Sequence, residues 1–184
     1  YPFFLNDRFN FEGFKKAAEA IIHEQGKLVT IINDPCNNPT GYSLTNEELQ
    51  SIISYLNQIN VPSVLIYDIA YLDFASPNSR ENFKILSQTN NNVLISIAFS
   101  ASKTFSVYGQ RLGAQIIMGK SEAEVVDFYN AGNYTARNTW SNANKGLINL
   151  MIAIDKNPDL KNKYLYELSG VKEIIKERAN VFLN

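Results

Sequence analysis

Lys103 is the residue of this sequence with the clearest capacity for covalent chemistry. It comes just after the apolar run of residues 93–99, among small hydroxylated residues that begin at Ser100. Lysine is rarely buried without a partner, and its amine becomes a nucleophile or a general base when water is withdrawn from it. Taken alone, Lys103 is more often a solvated loop residue, so its assignment depends on the residues around it.

Groups suited to an anion lie close to this lysine in the sequence. Ser100 and Ser102 carry hydroxyl groups, and Arg111 comes eight residues after Lys103. The planar guanidinium of an arginine matches the oxygen atoms of a phosphate. Arg111 could instead form a surface ion pair of little energetic weight. In combination with the lysine, these residues predict a phosphate-binding group beside a reactive amine.

Two further segments place polar side chains directly after strand-like runs. Asp68 follows the apolar residues 63–67, and Tyr71 is three residues further on. Asn38 lies in the turn-forming segment of residues 33–41, which follows another strand-like run. A carboxylate can pair with a ring nitrogen, while a phenol and an amide can hydrogen-bond to a ring oxygen. With an amine and a phosphate-binding group, this set describes a site for pyridoxal 5′-phosphate (PLP), although Asp68 alone could be a turn cap.

The elements that must position these residues alternate between strands and helices. Residue types predict short strands at 27–32, 63–67, 93–99 and 114–118. Capping residues and helical spacing predict helices that begin after Asn10, Thr45, Ser121, Ser141 and Asn157. The alternation predicts an α/β fold with three αβα layers and a mostly parallel sheet. Ligands of such sheets bind beyond the carboxyl ends of the strands, so Asn38, Asp68 and Lys103 should meet at one edge.

Composition excludes several other classes of function. The chain has 184 residues, of which 45% are hydrophobic, and a net charge of −1, so no basic surface suggests a nucleic acid. The single cysteine, Cys36, excludes an internal disulfide and favours a reducing, cytoplasmic compartment. The single histidine, His23, lacks the partners that a metal site needs, so no metal is expected. No apolar run is long enough to span a membrane.

Three motifs of this chain occur in the same order, with similar spacing, in the class I aminotransferases of PLP fold type I. They are Asn38-Pro-Thr-Gly41, Asp68-x-Ala70-Tyr71, and Ser100-x-Ser102-Lys103 with Arg111 eight residues later. The first motif alone could be only a turn, but three in order, each after a predicted strand, are specific. The chain therefore resembles this family, and in particular its aspartate and aromatic amino acid aminotransferases.

The resemblance implies a role for each matching residue. Lys103 would attach PLP covalently and would later move a proton between the substrate Cα and the C4′ atom of the cofactor. Asp68 would pair with the pyridine nitrogen, and Ser100 and Arg111 would bind the phosphate. These roles predict that the four side chains face one cofactor.

Three other residues complete the implied site. Tyr71 and Asn38 would hydrogen-bond to the phenolic oxygen of PLP, and Asn38 would also contact the substrate. Arg137, within the segment of residues 137–142, matches a position that binds the distal carboxylate of dicarboxylate substrates across a dimer. Arg137 could equally belong to a helix-entry signal, because the local match is short. Residues 143–145 depart from the small residues that the family often has there.

The resemblance also implies that this chain is a fragment of a longer enzyme. Residues 1–155 would form the core of the PLP-binding large domain, and residues 156–184 a helix that leads toward a missing small domain. A phosphate-binding loop would precede Tyr1, and the arginine for the substrate α-carboxylate would follow Asn184. Because several charge-assisted contacts to PLP would be missing, the isolated fragment should bind PLP weakly and be inactive.

Three functions remain open at this point. The favoured one is transamination between an aspartate-like or aromatic amino acid and a 2-oxo acid, by a PLP-dependent homodimer in a biosynthetic process. A β-lyase or decarboxylase on the same scaffold is the second, because a fold does not fix the reaction. The third is an inactive fragment that serves as an interaction module. The first is favoured because every cofactor-contacting side chain expected in this interval is present.

Overall fold

The computed structural model describes residues 1–90 and 92–183. These residues form two compact units, which divide between Ser141 and Asn142. The strands of the first unit are β1 (Phe4–Leu5), β2 (Arg8–Phe9), β3 (Leu28–Asn33), β4 (Ser63–Asp68), β5 (Val93–Ser100) and β6 (Gly113–Met118). Its α-helices are α1 (Phe11–Gln25), α2 (Asn46–Gln58), α3 (Asn82–Leu86), α4 (Ala101–Thr104) and α5 (Glu122–Thr139).

Strands β3 to β6 form one sheet in that order. The strands β3, β4 and β5 run parallel to each other, and β6 pairs antiparallel with β5. Strands β1 and β2 form a separate antiparallel pair. The predicted α/β class with a mostly parallel sheet is therefore confirmed.

One face of this sheet carries the hydrophobic core. Alternate residues of β3, β4 and β5 are buried on this face and join one apolar cluster with helices α1, α2 and α3. The cluster includes Leu28, Leu65, Ile95, Phe14, Leu49, Ile52 and Leu56. The opposite face is open at β3, where Val29 and Ile31 are 55% and 70% exposed. The part of the chain that the structure describes therefore leaves this face of β3 largely uncovered.

Local capping fixes where the first helices begin. The Asn10 side chain accepts a hydrogen bond from the Gly13 amide, and Gly26 ends α1 in the left-handed conformation, with φ at 64°. At α2, the Thr45 hydroxyl accepts from the Glu48 amide while the Glu48 carboxylate accepts from the Thr45 amide. Both helix starts agree with the predictions from sequence.

One local element was not predicted, and one predicted helix cap is wrong. Lys103 lies in the one-turn helix α4. Ser141 does not cap the next helix, because it adopts a left-handed backbone with φ at 70°. The cap is Asn144, whose side chain accepts a hydrogen bond from the Leu147 amide.

The second unit contains α6 (Lys145–Lys156) and α7 (Pro158–Leu183). The Asn157 side chain accepts hydrogen bonds from the amides of Asp159 and Leu160 and so caps α7. The sequence predicts an inward apolar face on this helix, but Leu168 is buried whereas Leu165 and Ile174 are 50% and 49% exposed. The neighbouring helix α6 therefore covers only part of the apolar stripe of α7.

The unit boundary at residues 141 and 142 precedes the predicted domain boundary at residues 155 and 156. The assignment of residues 1–155 to a large domain, and of residues 156–184 to a helix that leads toward a missing small domain, stays a prediction. Among the described residues, no helix combines the length and the apolar character that crossing a bilayer requires.

Candidate active site

The sheet topology brings the predicted site residues to one edge. The parallel strands β3, β4 and β5 end at Asn33, Asp68 and Ser100, and Asn33 lies directly opposite Asp68 in the register. Because β6 runs antiparallel and begins at Gly113 opposite Ser100, Arg111, two residues before Gly113, lies at this edge too. A carboxylate, hydroxyls and a guanidinium thus share the rim where ligands of parallel sheets bind.

The Lys103 amine lies near two aromatic rings at this edge. Its Nζ atom is 4.2 Å from the centre of the Tyr108 ring and 6.0 Å from the centre of the Tyr71 ring. The Lys103 side chain is half-buried. Helix α4 therefore presents the amine toward Tyr71, one of the residues predicted to share its site.

Asn38 and Tyr71 meet although they come from different segments. The Asn38 side-chain amide donates a hydrogen bond to the Tyr71 hydroxyl at 3.3 Å. The Asn38 backbone amide donates to the Asn33 side chain at 2.7 Å, and Asn33 in turn donates to the Asp68 carbonyl at 3.3 Å. Asn33 therefore links the segments of Asn38 and Asp68, a role that the sequence analysis missed. Its position as the first residue of the turn-forming segment, directly after the predicted strand of residues 27–32, was the available signal.

One carboxylate oxygen of Asp68 accepts a hydrogen bond within the turn, and the other is available to a ligand. Its Oδ1 atom accepts a hydrogen bond from the Ala70 amide at 3.0 Å, which is the turn-cap geometry that the sequence left open as an alternative. The Oδ2 atom accepts no hydrogen bond from the described residues. The half-buried carboxylate can therefore stabilise the turn and still bind a protonated ring nitrogen.

Arg111 is held against Ser102 and Tyr108. Its Nη1 atom donates to the Tyr108 carbonyl at 2.7 Å and to the Ser102 hydroxyl at 3.4 Å. The Ser100 hydroxyl accepts from the Ser102 amide at 3.3 Å and so caps α4. Two hydroxyls and a guanidinium are thus close together, as phosphate binding requires.

Arg137 is the predicted site residue that is not joined to this group. It lies exposed in the last turn of α5. Within residues 1–90 and 92–183, no hydrogen bond or ion pair connects it to the strand-end residues. Its role in substrate binding stays a prediction.

A buried polar cluster supports the turn that carries Asn38, and the sequence analysis missed it as well. The Asp34 carboxylate is 1% exposed and accepts hydrogen bonds from the Leu44 amide at 2.6 Å, the Asn82 side chain at 3.1 Å and the Tyr67 hydroxyl. Burial raises the pKa of Asp34 above its usual range, although the Tyr67 hydrogen bond opposes this shift. Burial, together with the Asp34 charge, raises the pKa of Tyr67. The cluster ties the start and the end of the turn to β4 and α3.

Comparison with known proteins gives the same family as the three motifs. A sequence model of the family described as aminotransferase class I and II matches residues 2–184. The chain is similar to an aromatic-amino-acid aminotransferase of Pseudomonas aeruginosa, with 24% identity over 95% of this chain and 43% of that protein. A histidinol-phosphate aminotransferase of Pasteurella multocida is 32% identical over 65% of this chain and 28% of that protein.

Solved structures agree in fold. An aminotransferase from Anaerococcus prevotii superposes with a TM-score of 0.92 and 34% identity, over 98% of this chain and 46% of that chain. An aromatic-amino-acid aminotransferase from Burkholderia pseudomallei, covalently bound to pyridoxal phosphate, superposes with a TM-score of 0.80 over 98% of this chain and 44% of that chain. At 22% identity, the second structure shows a shared fold alone.

The chain spans less than half the length of these relatives. The family predicted from the three motifs is confirmed, since the family model covers nearly all of the sequence. The chain belongs to the class I and II aminotransferase family.

Proposed function

We propose that the full-length protein carrying this chain is a PLP-dependent aminotransferase, which moves an amino group from an amino acid to a 2-oxo acid. The observation that supports this most is that an amine, a carboxylate and a guanidinium lie at the same edge of the sheet. They belong to Lys103, Asp68 and Arg111. The donor set fits PLP, which carries an aldehyde, a ring nitrogen and a phosphate.

Each of these side chains has a defined role in this proposal. Bound PLP would supply an aldehyde for the substrate amine and a ring that withdraws electrons from the substrate Cα. Lys103 would hold the cofactor through Nζ, and as a free amine it would take the proton from the substrate Cα and deliver it to the C4′ atom of the cofactor. Asp68 keeps a proton on the ring nitrogen through its available oxygen. Ser100 and Arg111 neutralise and anchor the phosphate.

The hydrogen-bonded pair of Asn38 and Tyr71 orients the cofactor. Their amide and hydroxyl lie 3.3 Å apart and can bind one ring oxygen together. Asn38 is exposed, which leaves it accessible to a substrate. A fixed pair of donors reduces the rotational freedom of the bound group and so favours productive geometry.

We propose aspartate-like or aromatic amino acids as the amino donors. The name of the relative from Pseudomonas aeruginosa supports an aromatic donor. Arg137 would bind the distal carboxylate of a dicarboxylate substrate in a homodimer, with the exposed last turn of α5 reaching the partner subunit. The proposed compartment is the cytoplasm.

Reductive trapping tests the assignment of Lys103. The full-length protein is incubated with PLP and borohydride, and its peptides are analysed by mass spectrometry. We expect a pyridoxyl label on Lys103, loss of the label in Lys103→Ala, and an unchanged label in Lys120→Ala, which removes an exposed lysine after β6. A label on another lysine would overturn the assignment.

The reaction type needs a separate assay. Formation of a 2-oxo acid from aspartate or phenylalanine should require an added 2-oxo acid as amino acceptor. Product formation without any acceptor would favour a lyase or decarboxylase over a transaminase. A full-length protein that binds no PLP would favour an interaction module.

A further inference from the structure

Tyr108 contacts two cations that the proposed site uses for different purposes. The Lys103 Nζ atom lies 4.2 Å and the Arg111 Cζ atom 5.0 Å from the centre of the Tyr108 ring. A cation within about 6 Å of an aromatic ring centre is attracted by the negative face of the ring. One side chain therefore interacts with both the amine and the guanidinium.

The backbone of Tyr108 adds a second constraint on Arg111. The Tyr108 carbonyl accepts a hydrogen bond from Arg111 Nη1 at 2.7 Å, while the same nitrogen donates to Ser102 at 3.4 Å. Arg111 itself has a left-handed backbone, with φ at 51°. Because the carbonyl contact does not depend on the side chain at position 108, replacing the ring isolates the contribution of the ring.

Burial does not explain the position of this ring. Tyr108 is 66% exposed, so it contributes little to a hydrophobic core. An ammonium and a guanidinium at the same edge repel each other, and an aromatic face that attracts both reduces the cost of holding them together. The ring can therefore fix where the amine lies relative to the guanidinium before any ligand arrives.

We propose that Tyr108 is a positioning residue, which orients the Lys103 amine and the Arg111 guanidinium for an aldehyde that also carries a phosphate. The inference rests on the proposed function, because PLP is the ligand that would need both groups at once. Preorganised groups lose less conformational freedom when the ligand binds. No bond to Tyr108 forms or breaks in this role.

The first test measures the contact without cofactor. In the PLP-free full-length protein labelled with ¹³C at the lysine ε-carbon, the ring should shift the Lys103 ε-proton signals upfield. The shift should persist in Tyr108→Phe, which keeps the ring, and vanish in Tyr108→Leu. Tyr129→Leu is the matched control, because Tyr129 is 65% exposed on α5. Tyr108→Gln serves as a second ring-free variant in case the leucine variant does not fold.

The second test measures PLP binding by the same proteins. Loss of an exposed cation–π contact should weaken binding about two- to fivefold in the ring-free variants, whereas Tyr108→Phe and Tyr129→Leu should bind like the unmodified protein. Equal weakening in Tyr108→Phe and Tyr108→Leu would overturn the proposal, because the hydroxyl and not the ring would then matter. Unchanged lysine signals and unchanged binding in both ring-free variants would overturn it as well.

The two tests separate this inference from the proposed function. If the unmodified protein binds no PLP but the Lys103 signals depend on the ring, the proposed function fails and the contact between lysine and ring is supported. If the unmodified protein binds PLP on Lys103 but the Lys103 ε-proton signals do not depend on the Tyr108 ring, the positioning role fails and the proposed function stands.

Discussion

Removing the Tyr67 hydroxyl should destabilise the protein, and more strongly at neutral pH than at acidic pH. Tyr67→Phe deletes one of the donors to the Asp34 carboxylate and also the oxygen to which Asn82 donates at 2.9 Å. Because Asp34 is 1% exposed, water does not replace the lost donor. A hydrogen bond to a charged group contributes about 1.5–3 kcal/mol, and we expect a loss of about this size in the free energy of unfolding at neutral pH.

The pH dependence follows from the pKa of Asp34. Burial raises this pKa in the folded state above 3.8, so folded Asp34 binds its proton more tightly than the unfolded chain does. Stability from this group is therefore fully present below pH 3.8 and is lost as the pH rises through the folded pKa. The Tyr67 hydrogen bond lowers the pKa of Asp34, so its removal enlarges that loss. The difference between the two proteins should grow as the pH rises.

Denaturant unfolding at acidic and at neutral pH measures this difference. Tyr55→Phe is the matched control, since the Tyr55 hydroxyl is buried and has no hydrogen-bond partner among the described residues. Its removal should leave stability unchanged or increase it slightly, because a buried hydroxyl without a partner is costly. The reasoning is refuted if both variants lose equal stability, or if the loss in Tyr67→Phe does not depend on pH.

Three further predictions concern two glycine positions and one helix cap. Gly113→Ala would place a Cβ atom 2.8 Å from the Phe99 carbonyl oxygen, and we expect a loss of about 1–3 kcal/mol in unfolding free energy. At Gly132→Ala, in α5, the added Cβ atom would meet no atom within 4 Å outside the backbone of its own helix turn, and the change should instead stabilise by up to about 1 kcal/mol. Equal responses in a denaturation assay would contradict both expectations. Thr45→Ala removes the hydroxyl that accepts from the Glu48 amide and should cost about 1 kcal/mol by the same assay, and an unchanged midpoint would argue against the cap.

The first helices were predictable because capping is local chemistry. Asn10 and Thr45 bond to amides three residues later, so a short window of sequence contains both partners. The same locality explains the error at Ser141. Serine and asparagine are both good caps, and the choice of Asn144 depends on a backbone conformation that composition does not specify.

The exposed face of α7 shows another limit of sequence patterns. An apolar stripe at helical spacing predicts that a face will be covered, but it does not identify what covers it. Leu165 and Ile174 fit the stripe and are still about half exposed in this chain. Val29 and Ile31 on β3 show the same limit for a strand. Their residue types indicate that they are buried, but they are more than half exposed among the described residues.

The strand-end residues were predictable because parallel strands end at a common edge. Asp68 and Lys103 needed only the strand pattern and their own chemistry. Asn33 and Tyr108 were missed because their contacts require tertiary geometry. The bond from Asn33 to Asp68 joins residues 35 apart in sequence, and the Tyr108 ring lies near Lys103 only because α4 and the following turn fold back.

Asn33 and Asp34, two consecutive residues at the end of β3, connect the proposed site to the core. Asn33 accepts a hydrogen bond from the Asn38 amide on the side of the site, whereas the next residue, Asp34, accepts from the Leu44 amide within the buried cluster. Neighbouring residues of an extended chain point to opposite sides, so both ends of the turn are held from one short segment. The position of Asn38 therefore depends on two side chains that have no part in the proposed cofactor contacts. Because Asp34 also accepts from Tyr67, directly before Asp68, the same buried carboxylate supports both segments that would bind the cofactor ring.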